Sequence, residues 1–512
     1  MRKIIYLSAL VLATALGGTA ARAQISVPSD AAPACNISSS TLNGWFSGGS
    51  VTLNGAAIPA DSTAFPPINN TLCTFYQWAS HMFLWLTSPT AGGVTFTGSS
   101  FFNIEPASGG GLQFVRNASN SVLHLRMRKQ KPITVAASTS LNGTTEADGN
   151  VLIAQKSPVW NATTCSPQPQ NPPDAIPVYY GIHSNDGYAY YVTGHKNNAF
   201  AGEIYNLFPS TLADLGQLEL YVASGFKTTL SKPLTMTMVQ KSAWVDVAAV
   251  SNPASYITIS AQVPTYNTCN SATTWTQNTA AETKTLALVG LHVVGTVNGH
   301  PEMVWATFEH VDNAPNFSYS YTNNQTGSNT TTTVPYNSAG TWTFAPAGMA
   351  QPTQAGGGNY INATATTSGT SIVSTSSAAL APASVARLNP WGTAATDTNS
   401  LSSNTDLVSL NSSVMTGLAS GDPRANYVQV GAVWSQFGQI PANGTDSVLK
   451  GGLSLANAAM ETFAQNPDST SGYVTKNCFG CHNSSGSTTL NPPGINISHI
   501  FGQLQPLPQP QQ

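Results

Sequence analysis

Cys478 and Cys481 stand two residues apart in Cys478-Phe479-Gly480-Cys481-His482, with a histidine directly after the second thiol. Thiols at this spacing can add across the two vinyl groups of one porphyrin, and the adjacent imidazole then falls beneath the iron as its proximal ligand. The pattern predicts one covalently attached haem c. Three other chemistries compete for the same thiols. A redox dithiol wants a thioredoxin-like βαβ setting, which the flanks do not offer. A zinc site wants a second pair of ligands close by, and only His499 is near in the sequence. A disulfide spanning two residues is strained.

On these five residues the C-terminal segment resembles the c-type cytochromes. The resemblance implies cofactor attachment at Cys478 and Cys481 and an iron ligand at His482. No Met follows His482, so the downstream Met ligand that raises the potential of small cytochromes has no counterpart here. His499, in Ile497-Ser498-His499-Ile500-Phe501, is the leading candidate for the second axial ligand, and Met460 is the next. His81, His310, Met82 or an open position complete the alternatives. A second block also resembles a known group. Leu288 to Pro315, with Glu309-His310-Val311-Asp312-Asn313, and the stretch Met460-Glu461-Thr462-Phe463 are similar to segments of large exported bacterial mono-haem proteins of unsettled function. That resemblance raises Glu309 and His310 as candidate acid/base residues; His81 is a third candidate if the protein is a haem enzyme.

These groups need a body to hold them. The chain has 512 residues, 41% hydrophobic and 8% charged, with 10 Trp and 18 Phe. This much apolar material excludes a charge-driven disordered protein. The scarcity of Lys and Arg excludes a nucleic-acid partner. Residues 1–23 read as a secretory signal: Arg2 and Lys3, an apolar run, and Ala21-Arg22-Ala23 as cleavage site. No later stretch reaches the length of a membrane span. An exported chain, periplasmic or secreted, is the expectation. Its sparse charge further predicts a stability that varies little with pH, and hence tolerance of an acidic habitat. Four more cysteines in an oxidising compartment predict disulfides, with Cys35–Cys73 and Cys165–Cys269 the favoured pairing.

The expected fold is α+β and β-rich: a large antiparallel sheet or sandwich over residues 24–440, a few helices, and a short haem c segment packed on it. Apolar spacing predicts a helix over 72–86. Strands are expected at 122–127, 177–182, 188–193, 218–222, 234–239, 256–263, 286–297 and 303–311, with one helix near 198–214. Asn298-Gly299 predicts a hairpin that sets His292 opposite Trp305, unless Pro301 lengthens the loop and shifts the register. Residues 316–385 read as a low-complexity insertion. Residues 441–503 read as a helix, over 447–466, followed by the attachment segment, and 504–512 as a mobile tail. Too little apolar chain follows His482 to cover a porphyrin, so the attachment segment must lean on the body. The leading functional expectation is an exported mono-haem redox protein that passes single electrons to or from a partner protein or a small molecule. A secreted peroxidase- or oxygenase-like haem enzyme with an open distal site, and a recognition module with a structural haem, are the alternatives.

Overall fold

The computed structural model describes residues 26–66, 70–117, 123–126, 151–155, 176–268, 271–340, 342–351, 365–374, 378–462, 477–484 and 494–510. The leader segment and the Cys165–Cys269 pairing lie outside these residues. The body is α+β and β-rich, built on one 12-stranded sheet. The elements that matter for the site are α1 (Leu72–Leu86), β1 (Phe101–Pro106), β2 (Leu112–Arg116), β3 (Tyr179–Asn185), α2 (Asp186–Lys196), α3 (Leu212–Phe226), β4 (Met238–Asp246), β5 (Thr258–Asn267), β6 (Thr274–Val297), β7 (His300–His310), α4 (Ser400–Gly417), β8 (Tyr427–Ser435) and β9 (Leu449–Gly451). The main path through the sheet runs β9-β8-β7-β6-β4-β3-β1-β2, each pair antiparallel.

β6 is the central strand because Leu286 to Val297 is apolar on both faces, and both faces are covered. On one side α1 and α4 pack over Val293, Ala306 and Ala432. Helix α1 starts where expected: Thr71 accepts the Thr74 N–H, and the Thr74 hydroxyl side chain bonds the Thr71 N–H in return. Cys35 and Cys73 form a disulfide at its first turn. On the other side α2 and α3 pack over Ile104, Ile182, Val294, Trp305 and Val433, together with Phe479, Ile495, Ile497 and Phe501 of the C-terminal segment. The attachment segment is therefore part of the body's second core.

Several local expectations are corrected. Residues 188–193 and 218–222 are helical, within α2 and α3. The Asn185 side chain caps α2 by accepting the Tyr188 N–H, which starts a helix despite its β-branched and aromatic content. No helix occupies 447–462. Leu449–Gly451 forms β9 against β8, and Gly451 at φ 83° turns the chain away afterwards. The hairpin register is shifted by two residues: His292 faces Thr307, Trp305 faces Val294, and Glu309 faces Gly290. The Asn298-Gly299 turn is the expected two-residue one, with His300 paired to Val297, and the shift comes from a bulge between His300 and Val304, which holds Pro301 and where Met303 takes φ 66°. Residues 316–385 are more than an insertion, since Phe317, Tyr319, Trp342 and Phe344 are buried. Past residue 503 the chain is tied down: Leu504 is buried, and the Leu507 N–H donates to Thr193 Oγ1 at 3.0 Å.

Candidate haem-attachment site

Cys478, Phe479 and Gly480 form a single 3-10 turn. Asn477 caps it by accepting the Phe479 N–H at 3.1 Å, and its amide donates to the carbonyls of Gly444 and Leu453. Asn483 donates to the Phe479 and Gly480 carbonyls at 2.8 and 3.0 Å. The turn rests directly on another stretch of backbone. A Cβ on Gly444 would lie 2.7 Å from the Gly480 Cα, so position 444 requires the absence of a side chain. Phe479 plugs into the second core with its ring edge-on to Trp305.

His482 follows the turn with its N–H bonded to the Cys478 carbonyl at 2.9 Å. Its Nδ1 lies 2.7 Å from the Ile497 carbonyl. A carbonyl only accepts, so Nδ1 carries the proton and Nε2 the lone pair. This is the arrangement that orients a metal-ligating imidazole through its second nitrogen. Burial holds the imidazole well below the usual histidine range, helped by His499, Lys241 and His292 and opposed by the Ile497 carbonyl. A neutral imidazole with Nε2 available, one residue from a thiol pair at vinyl spacing, fits a covalent haem. The dithiol alternative fits less well. Burial pushes the Cys478 thiol up, with Glu461 adding to it, whereas a reactive dithiol needs a depressed one. The zinc alternative lacks ligands, because among the described residues no three His, Cys, Asp or Glu side chains are grouped as a metal ion needs.

The walls come from the sheet. The Trp305 indole lies 4.2 Å from the His482 ring, centroid to centroid, with its N–H held by the Glu302 carbonyl at 2.9 Å. His499 stacks on the opposite side of His482 at 4.0 Å and 19°, exposed to solvent, with Nε2 2.9 Å from the Cys481 carbonyl. In this arrangement His499 covers the His482 ring. Ile497 and Ile500, on either side of it, are buried against α2 and α3, and Tyr188 bonds Ser498 at 2.7 Å.

The remaining candidates sit elsewhere. Met460 packs against Gly290 in a third core cluster, and Met82 is buried on the far side of the sheet as part of α1. Glu309 is fully buried in an ion pair with Arg387 and also accepts the Ala458 N–H at 2.8 Å. His310 is sealed between Tyr256, whose ring centre is 3.5 Å away, and Tyr427, with Nε2 bonded to the Ser255 carbonyl. His81 stacks on Trp45 at 4.5 Å. These three serve packing and structure in the body. Missing from the sequence reading was a polar row on the site's face of the sheet: Lys241 on β4, His292 on β6 and Thr307 on β7 in register, met by Glu461. The signals were a His in the nearly all-apolar run of the central strand and a carboxylate shortly before the Cys pair. Compared with known proteins, the chain matches no family model, no curated protein and no solved structure.

Proposed function

We propose that the chain is an exported redox protein that carries one haem c on Cys478 and Cys481, with His482 as proximal ligand, and passes single electrons. The observation that supports this most is the His482 tautomer: the Ile497 carbonyl fixes Nδ1 as donor and leaves Nε2 free to bind, directly after two thiols at vinyl spacing. When bound, the haem supplies a one-electron ferric/ferrous couple. The chain's own groups do the rest. Asn477 and Asn483 hold the thiol-bearing turn, Trp305 and Phe479 wall it off from water, and His499 closes the solvent side. A large apolar surround of this kind tunes potential through burial.

Production in a host competent in cytochrome c maturation tests the reading. The expected result is a coloured protein whose haem stays attached in denaturant and is lost in Cys478→Ala or Cys481→Ala. Colourless parent protein with both thiols titratable sinks it. One observation favours a second reading, a haem enzyme: His499 is engaged with the His482 ring and the Cys481 carbonyl, and a haem without a second protein ligand would offer its iron to a small molecule. A high-spin ferric spectrum that shifts with cyanide supports the enzyme; a low-spin spectrum indifferent to cyanide supports the carrier.

A further inference from the structure

A hydrogen bond fixes one atom of the His482 ring and leaves the ring's plane undetermined. The imidazole turns about two side-chain bonds, and the bond from Nδ1 to the Ile497 carbonyl, at 2.7 Å, lets the plane swing around the line that joins them. Two other rings close that freedom. The Trp305 indole lies on one face of His482, with centroids 4.2 Å apart and planes 33° apart. The His499 imidazole lies on the other, at 4.0 Å and 19°. Rings at these separations touch, so a swing of His482 in either direction meets a wall.

Each wall has its own anchor. Trp305 stands on β7 between Val294 of β6 and Val433 of β8, and its Nε1–H donates to the Glu302 carbonyl at 2.9 Å. Glu302 in turn accepts the Ser435 N–H at 3.1 Å through its carboxylate. His499 comes from the C-terminal segment, and its Nε2–H donates to the Cys481 carbonyl at 2.9 Å. Its neighbours Ile497 and Ile500 are buried, and Ser498 bonds Tyr188 of α2 at 2.7 Å, so the backbone that carries it is held to the body. The side chain itself is exposed and adds little to the stability of the fold. Its ring covers His482 and its Nε2 holds Cys481, both within the attachment motif.

We propose that His499 and Trp305 are positioning residues that fix the plane of the His482 imidazole, and that His499 serves the iron through this ring contact and not as a second ligand. The inference rests on the haem reading, and the test separates the two. An imidazole donates π-electron density perpendicular to its ring, so the direction of its plane decides which iron d orbital of matching symmetry is raised. A plane held at one angle gives one electronic ground state, and a plane free to swing gives a spread of them. This is control of a metal through an outer residue.

Electron paramagnetic resonance of the ferric, haem-loaded full chain reads that state through its g values. His499→Phe keeps a ring over His482 and cannot bind iron. His499→Gln keeps a donor for the Cys481 carbonyl and has no ring, and His499→Ala keeps neither. The parent and His499→Phe should share one set of g values, while His499→Gln and His499→Ala share a second set, shifted and broadened. Trp305→Leu should shift and broaden the signal in the same way; Trp305 is buried, and the exposed His499 series decides the matter if that variant does not fold. If all three His499 variants change alike, a ligand has been lost, and the proposal is overturned while the haem stands. Parent-like signals from all three, or a parent-like His499→Gln beside a shifted His499→Phe, overturn it too. Colourless protein overturns the haem reading and the proposal together.

Discussion

Acid should destabilise this fold, against the expectation drawn from its low charge. His183 and His310 are fully buried, and burial lowers each imidazole from its ordinary 6.5 to about 3. The folded chain therefore refuses protons that the unfolded chain binds. Stability rises with pH between about 3 and 6.5, and is lost as pH falls through that window. At pH 5 each histidine costs about 2 kcal/mol, from about 1.5 units at 1.36 kcal/mol per unit. His81, lowered to about 4 by burial, pulls the same way more weakly because part of it is exposed. Asp406 opposes them: burial raises its carboxyl to about 6, so the folded state gains a proton first as pH falls. It is partly exposed, and its gain at pH 5 is discounted to about 1 kcal/mol. From His183, His310 and Asp406 the net loss between pH 7 and pH 5 is about 3 kcal/mol, and His81 and His482, both lowered by burial, add to it; this is a large share of the roughly 5–15 kcal/mol by which domains are stable. Urea unfolding at pH 7, 6 and 5 measures it, and His310→Gln should remove about 2 kcal/mol of that pH dependence whatever its absolute stability. A parent whose urea midpoint is the same at pH 5 and pH 7 would refute the reasoning.

Other perturbations test the frame around the site. Arg387→Met leaves the Glu309 carboxylate buried without its cation and should cost about 3–5 kcal/mol in urea unfolding, whereas Glu309→Leu with Arg387→Met should recover most of that loss. Gly444→Ala places a methyl group 2.7 Å from the Gly480 Cα and should cost about 1–3 kcal/mol, with a lower haem content per chain in the pyridine haemochrome assay. Reduction of Cys35–Cys73, which are 38 residues apart, should lower stability by about 4 kcal/mol on the loop-entropy argument, read as a shift in urea midpoint with dithiothreitol.

What the sequence disclosed and what it hid divide along physical lines. Helix α1 was legible to the residue, because Leu72, Phe75, Ala79, Met82 and Leu86 repeat at helical spacing between Thr71 and Ser88-Pro89. The central strand was legible from its nearly all-apolar run, Leu286 to Val297, interrupted only by His292 and Thr296. Helix α2 was hidden because Tyr188-Ala189-Tyr190-Tyr191-Val192-Thr193 has strand composition, and the Asn185 cap and burial on both sides override it. Helix α4 was passed over because Ser, Asn and Thr fill it. Its Asn411 bonds the Gln429 backbone in both directions, a tertiary contact that no spacing rule reveals. The apolar stripe over 447–466 misled in the opposite sense, since Gly451-Gly452 breaks the helix that Leu449, Leu453 and Met460 suggest. For the site, the cysteines and His482 could be read locally. Their surroundings could not, because Lys241, His292 and Trp305 reach them only through sheet register.

That dependence on register bears on why so large a body accompanies so short a motif. Cys478 to His482 is one turn and its next residue, with no helix of its own to cover a porphyrin. The wall behind it is a face of the sheet, where Trp305 stands next to Val294 on β6 and Val433 on β8. That face points correctly only if the β6–β7 hairpin keeps its bulge between His300 and Val304, since removing a single residue there would turn every later side chain of β7 over. The loop is held from several sides: the Asn298 N–H donates to the Ser62 carbonyl, the Gly299 N–H to the Ser210 carbonyl, and Glu302 accepts the Ser435 N–H. The groups that set charge and dielectric at the thiol pair are thus fixed by contacts made hundreds of residues earlier in the chain. A peptide spanning only the attachment segment would keep the thiols and His482 but lose Trp305, His292 and Lys241, and with them the environment that distinguishes this site from a bare haem peptide.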